Sequence, residues 1–483
     1  MKKRIKLLIL LPLICLITSC SYIFDMLLDF NNTSYSTTSN NNKPASSVNI
    51  IEDYDYISPL QEKMENDDDF SVGMPSSGDI KVLVIPVQIG NVFFTENDLK
   101  RIDLAFNGNR DSTGFESVNS YYKKTSGGLL NIEATITSVY KTPNNKLYYE
   151  SLYSRGENPE YEIINGAMHY FNETYNYDEF DYNKDSYIDG IYLIYSCDYS
   201  YEDDSPWWAW CYEYYTSDYE YYDNVEVDFY VWASVDFLTD EITYNHRISA
   251  NAETLIHETG HMLGLDDYYD YNYDLGPDGG IGGGCMMDYN VGDHDPFSKI
   301  MMGWSTPTII KDDITINLKP SVTSNESLII PLREFDGDYF DEYLVIDYFT
   351  NESLNFVQAG HNGLFSKNGI RIYHVDARID KNLGNPNRTG TDQFGNSYYN
   401  TIFSFNNSDT DHKQIRLIEK DNNNSIVNTE FSSNDDLFYE GDFLENFTNY
   451  DDEKVEFILT IDEITKEYAT ITITFQKEEQ NSN

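Results

Sequence analysis

The sequence predicts an α+β protein, with an α/β domain over residues 79–310 and a β-rich, sandwich-like domain over 311–478. Three observations predict it. Between 79 and 310, apolar runs of strand length alternate with segments of helical periodicity. After Pro307, strand-length runs recur at 327–333, 342–349, 369–376, 413–419, 454–462 and 468–475, separated by Asn/Asp/Gly-rich loops. The part of the chain beyond its polar N-terminal region is also longer than one small core serves, so two domains are expected.

The elements follow in chain order. Lys2, Lys3, Arg4 and Lys6 precede an apolar run from Leu7 to Ile17, too short for a comfortable membrane span. Ile17-Thr18-Ser19-Cys20 then reads as a bacterial lipobox. Residues 1–19 are expected to be a signal peptide. Lipid on Cys20 would anchor the protein to the outer face of the cell membrane. Residues 20–78 read as a polar, then acidic, tether, because an Asn/Ser/Thr-rich segment cannot bury enough surface to offset its ordering entropy. Lys81 to Val87 is a buried-strand candidate. Thr95-Glu96-Asn97-Asp98 resembles a capping box opening a helix through Phe106. A helix is expected over Phe115–Lys124, a strand over Leu130–Tyr140 and a helix over 159–172. Strands are expected over Gly190–Ser196 and Asp228–Phe237.

Composition narrows the function. The chain has 32 basic and 82 acidic side chains, a net charge of −50, and loss of the leader would make it more negative. Nucleic acid is therefore an unsuitable partner, since phosphates demand a basic surface. Beyond Cys20, only Cys197, Cys211 and Cys285 remain after the leader, too few for a disulfide framework, although a Cys197–Cys211 bridge stays open. Sequence does not fix the oligomeric state.

His257-Glu258-Thr259-Gly260-His261 carries the chemistry. On a helix, positions four apart share one face, so both imidazoles point the same way. Ser249 or Asn251 could cap the helix start, and Gly264 could supply the left-handed turn at its end. A catalytic Zn2+ takes three protein ligands and keeps one open position. Asp267, six residues after His261, is the leading third ligand, with Asp266 and Asp270 as rivals. Glu258 is the candidate general base. Gly282-Gly283-Gly284-Cys285-Met286-Met287-Asp288-Tyr289 resembles a Met-turn, with Met287 as its methionine and Tyr289 as a possible metal ligand or oxyanion donor. Asp181, Asn183, Asp185, Tyr187 (through its carbonyl) and Asp189 follow the order of a Ca2+ loop, with Ser186 where glycine is usual and Tyr192 where a bidentate glutamate is usual. His294 reads most simply as a structural hydrogen-bonding residue. Trp207, Trp208 and Trp210 could line a cleft or fill the core.

With these motifs in view, the chain resembles the immune-inhibitor-A family of secreted metallopeptidases. The likeness runs through Lys81–Gln88, Glu116–Tyr122, Ser126–Leu130, Trp207–Trp210, His257–Tyr269, Met286–Trp304 and, more weakly, Gly369–Asp376. It implies a metzincin-like zinc endopeptidase acting on extracellular proteins or peptides. Some members carry a latency prodomain, which the short polar spacer here does not resemble. If residues 228–237 form the edge of the cleft, an extended substrate could pair with them. The competing expectation is a surface adhesin that uses the same fold as a scaffold.

Overall fold

The apolar run around Val82–Val87 lies inside a mixed sheet, one strand in from its edge, in the computed structural model of the chain. It forms β1 (Gly78–Gln88), flanked by β2 (Leu130–Ile136) and by β3 (Tyr140–Lys141) near its end. The short pair β4 (Tyr187–Ile188) and β7 (Glu226–Val227) stands apart. The sheet continues through β5 (Ile191–Tyr195), β8 (Phe229–Ser234) and β6 (Trp210–Glu213), in the order β2-β1-β5-β8-β6. All its pairings are parallel except β6 against β8. The structure describes residues 58–65, 73–202, 205–214, 222–239, 250–272, 279–360, 364–378, 389–391, 397–399, 406–408, 412–420, 425–426 and 431–476. The expected leader, Cys20 and Ser249 lie outside the described residues. Among the described residues, no helix is long and apolar enough to cross a membrane.

Strand alternation explains why the β1 run is apolar throughout. Val82 and Val84 face one core with Tyr192, Ile194, Val231 and Ala233, while Leu83 and Ile85 face a second with Leu193, Tyr195 and Trp232. Helices cover both faces. On the first lie α1 (Pro59–Glu65), α2 (Glu96–Asn107) and α3 (Val118–Thr125), and on the second α4 (Lys146–Tyr153) and α5 (Pro159–Phe171). The Thr95/Asp98 capping box forms at the start of α2. Helix α3 starts at Val118, later than expected, because Ser117 caps it. The strand expected over 130–140 breaks after Ile136. That over 228–237 ends at Ser234, whose hydroxyl caps a 3-10 turn over Val235–Leu238. Helix α4, capped by Asn145, was not legible as a helix.

The first core also takes α6 (Glu253–Met262), α7 (Met286–Tyr289) and α8 (Pro296–Met301). The second half of the chain then forms two further sheets. One is β16-β13-β12-β11-β9, built from β9 (Thr308–Ile309), β11 (Leu328–Pro331), β12 (Glu342–Phe349), β13 (Gly369–Asp376) and β16 (Ile415–Leu417). The other is β10-β19-β18-β17, built from β10 (Ile314–Leu318), β17 (Phe443–Thr448), β18 (Lys454–Ile464) and β19 (Ala469–Phe475). A two-stranded pair, β14 (Thr389–Thr391) and β15 (Ser397–Tyr399), completes the set.

Strands β12 and β13 are buried along their whole length. Leu344, Ile346 and Tyr348 meet the four-stranded sheet, whereas Tyr343, Val345 and Phe349 join the core of α3, α6 and α7. Residues 55–483 thus form one compact unit in which a single core bridges the boundary expected at residue 310. The three cysteines Cys197, Cys211 and Cys285 are free thiols, so the Cys197–Cys211 bridge left open by the sequence is absent.

Ile329 of β11 is fully buried on the shared side. Ile329→Ala is expected to cost about 2–5 kcal/mol. Both halves should then unfold together, with near- and far-ultraviolet circular dichroism tracing one denaturant transition. Two separated transitions would contradict the shared core.

Candidate metal centre

Helix α6 packs between the sheet and α3. The Tyr122 hydroxyl donates to the Ile256 carbonyl at 2.6 Å, and the hydroxyls of Tyr192 and Thr259 are 2.8 Å apart. Its start has no side-chain cap on Ala252, but Asn251 Oδ1 accepts the Glu253 N–H at 2.8 Å. A Cβ at Gly260 in mid-helix would overlap Met287 Sδ and force that side chain to move. Met287 thus lies directly against the helix between the two histidines. Past the helix, Gly264 turns left-handed (φ +94°) and sends the chain back toward the histidines.

Second contacts fix both imidazoles. His257 Nδ1 lies 2.9 Å from the Met286 carbonyl, and His261 Nδ1 lies 2.8 Å from the Leu265 carbonyl. A carbonyl only accepts, so each Nδ1 carries a proton and it is the other ring nitrogen, Nε2, that turns inward. The two Nε2 atoms are 3.1 Å apart, and Asp267 Oδ1 lies 3.0 Å from one and 3.4 Å from the other. That buried oxygen has no hydrogen-bond partner of acceptable geometry. Three electron-pair donors converge on one point. Ligands ~2.0–2.2 Å from a tetrahedral zinc stand roughly 3.3–3.6 Å apart, close to the observed separations. Among the described residues, this is the one group of three or more His, Cys, Asp or Glu side chains whose ligand atoms all lie within 4.8 Å of one another.

The rivals for the third position are engaged elsewhere. Asp266 Oδ1 accepts the Asp267 N–H at 2.7 Å, and Asp270 pairs with Lys413 at 2.6 Å. Glu258 is buried beside the cluster. Burial raises its pKa, the two imidazoles and the Cys211 N–H oppose that, and Asp267 adds to it. Cys211 belongs to β6, which makes β6 the edge strand over the site. Strand β8, the expected edge, is paired on both sides. Tyr214 donates to the Asp228 carbonyl, so antiparallel alternation turns the Cys211 and Glu213 backbone outward, away from β8.

Tyr289 lies edge-on to Phe431, with ring centroids 5.0 Å apart. Tyr269 is a phenol in contact with the cluster. Burial, then the Asp267 charge and a hydrogen bond to Asp267, push its pKa up. Sequence reasoning passed over Tyr269, yet positions two apart on an extended segment share a face, and 267 and 269 stand in that relation. His294 departs from its expected role. It is buried among Tyr121, Tyr122 and Trp304 with neither ring nitrogen hydrogen-bonded, and burial pushes its pKa down to about 3. Trp207 belongs to the core, while Trp208 packs with Tyr199, Tyr201 and Phe237 in a partly exposed aromatic group.

In the acidic loop, Ser186 adopts the left-handed conformation (φ +77°) that glycine usually supplies. Its carboxylates accept local amides: Tyr182 N–H to Asp189, Ser186 N–H to Asp181 and Tyr187 N–H to Asp185. Asp181 Oδ1 is buried without a hydrogen-bond partner, and burial raises the pKa values of Asp185 and Asp189. Tyr192, at the usual glutamate position, is a core residue of β5.

No family model matches the chain, and no curated protein matches it.

Burial alone would lower the pKa of His261, but the Asp267 carboxylate outweighs it and lifts it to about 10. Asp267, which burial alone would raise, is held well below the usual carboxylate range by the two imidazoles. Without a cation, a proton therefore occupies the cluster, and His261 contributes stability below its ordinary 6.5 that is lost as pH rises through about 10. Zinc binding should release about one proton near neutral pH and strengthen with rising pH, by roughly tenfold per unit, until about pH 10. Calorimetry in buffers of differing ionisation enthalpy measures the release. A pH-independent affinity would refute the proton-filled cluster.

Proposed function

We propose that the chain is an extracellular zinc-dependent endopeptidase, anchored through lipid on Cys20 to the outer face of a bacterial membrane, with proteins or peptides as substrates. The observation that carries this reading is the convergence of His257 Nε2, His261 Nε2 and Asp267 Oδ1 beside the buried carboxylate of Glu258. Two imidazoles and one carboxylate are a donor set that suits zinc in a hydrolytic site. When bound, zinc supplies Lewis acidity, which brings the pKa of a water from ~15.7 toward ~7 and polarises a peptide carbonyl.

The chain's own groups do the rest. Glu258 takes a proton from the attacking water onto its carboxylate and passes it to the leaving amine. Its raised pKa brings acceptor and donor roles closer to neutrality. The outward backbone of β6, in which Glu213 follows the Cys211 amide that Glu258 accepts, offers an edge to an extended polypeptide, adding a strand to the sheet. A phenol supplies a proton donor for the developing oxyanion. Tyr289 fills that role on the motif resemblance and Tyr269 on its contact with Asp267. Met287 supports the helix from beneath. Structural calcium at Asp181, Asn183, Asp185, Asp189 and the Tyr187 carbonyl completes the reading. The orphaned Asp181 oxygen and the left-handed Ser186 support it.

Purified protein is expected to cleave an unfolded substrate such as casein, to stop on zinc chelation and to resume on zinc return. Glu258→Ala should lower the rate by about 10²–10⁴-fold, with one zinc still bound by elemental analysis. Undiminished cleavage by that variant would remove Glu258 as the base. Calcium at ~100 times its Kd should stabilise the fold by ~2.7 kcal/mol. Asp189→Asn should abolish that shift in thermal melts, and an equal shift in both proteins would rule out this loop.

A further inference from the structure

The four residues after Asp267 are bonded, one by one, to a segment some 140 positions further along the chain. Asn407 Nδ2 donates to the Tyr268 carbonyl at 2.7 Å. Ser408 Oγ donates to the Tyr269 carbonyl at 3.4 Å and accepts the Tyr271 N–H at 3.1 Å. Lys413 Nζ donates to Asp270 Oδ2 at 2.6 Å, and both of these charged side chains are buried. The segment is itself fixed. Lys413 Nζ also donates to the Asn407 carbonyl at 2.7 Å, and Asn407 exchanges two 2.9 Å bonds with the backbone of Ile415. Ile415 begins β16, which pairs with β13 in the five-stranded sheet.

We infer that Asn407, Ser408 and Lys413 form a brace that positions Asp267 as the third metal ligand. The inference rests on the metal-centre reading. The histidines sit on a helix and need no such help. Asp267 lies on irregular chain beyond the Gly264 turn, and its own N–H is spent on the Asp266 side chain. Its place is therefore set by its neighbours. On one side the Leu265 carbonyl is held by His261, and on the other the Tyr268 N–H reaches the Met287 carbonyl at 2.9 Å. The Tyr268 hydroxyl, 2.9 Å from Ser298 Oγ, holds the ring as well, but neither bond ties the carbonyl from which the outgoing chain leaves. The Asn407 bond to the Tyr268 carbonyl ties the other end of the same residue, and the Lys413–Asp270 pair ties the chain two residues later. A ligand held this way loses little freedom when the cation arrives, and its affinity gains accordingly. These residues act through Asp267, so they are positioning residues, not catalytic ones.

The test uses the full-length protein with zinc as the probe. Zinc affinity is measured by competition with a chromophoric chelator, the visible spectrum is recorded after cobalt substitution, and melting is followed in excess chelator. Asn407→Ala is expected to weaken zinc by about 10–100-fold and to change the cobalt bands, with His257, Glu258 and His261 intact. Ser408→Ala, a milder loss of one hydroxyl, should weaken zinc by about tenfold and remains available if Asn407→Ala does not fold. A purely structural role would lower the chelator-state melting temperature and leave zinc affinity and cobalt bands as in the wild type, which would overturn the inference. Failure of the wild-type chain to bind zinc would instead overturn the metal-centre reading, and the brace would fall with it.

Discussion

The site depends on two backbone carbonyls. By accepting from His257 Nδ1 and His261 Nδ1, the oxygens of Met286 and Leu265 choose the tautomer of each ring. Both Nε2 lone pairs are then forced into the space that Asp267 Oδ1 also enters. Neutral donors and a carboxylate repel at that distance, and only a positive charge makes the arrangement favourable. In the metal-free protein a proton meets that demand, because the Asp267 charge raises the His261 pKa against the effect of burial. A divalent ion would answer the same electrostatic demand more fully, because it could bond to all three donors at once.

The carbonyls must themselves be held, and this demand reaches across the fold. Met286 belongs to a short helical turn shaped by Asp288, whose carboxylate accepts the N–H groups of Ile281 and Gly283. The glycine-rich approach to that turn is fixed from the second half of the chain. Ser432 donates twice to the Gly282 carbonyl, and Arg371, paired with Asp347 in the core, reaches the Gly284 carbonyl. The β-rich half therefore supports the turn under the first histidine. The two-sided burial of β12 and β13 follows from the same arrangement, since one face of that sheet serves its own sandwich and the other serves the site.

Much of this was legible in the sequence. The histidine spacing, the Gly264 turn and the position of Asp267 are local features, and local geometry is what spacing encodes. The capping box at Thr95 and the doubly apolar strand at Val82–Val87 were legible for the same reason. What escaped was either short or non-local. Strand β6 has only four residues, two of them aromatic, and nothing in Trp210–Glu213 announces an edge over the site. The break of the strand expected over 228–237 came from one serine hydroxyl capping a turn. The brace on Tyr268–Tyr271 joins residues ~140 apart, beyond any periodicity. The two halves read as separate domains because texture changes at Pro307, yet texture reports the type of secondary structure and carries no information about which faces share a core.

On the proposed peptidase reading, the placement of β6 would join substrate binding to proton chemistry. An edge strand presents alternate backbone groups to solvent, and an extended partner chain satisfies them. Here one of those amides, that of Cys211, already bonds Glu258. A polypeptide lying along β6 would therefore compete for, or reorient, the same N–H that helps keep Glu258 ionised. It would also expel water from above a carboxylate that burial already disfavours as an anion. Both effects would raise the proton affinity of Glu258 with a peptide bond beside it. A base that becomes stronger on substrate arrival removes a proton more readily, and it stays protonated long enough to deliver that proton to the departing amine. On the proposed peptidase reading, the strand that would bind the backbone and the carboxylate that would move the proton form one coupled unit.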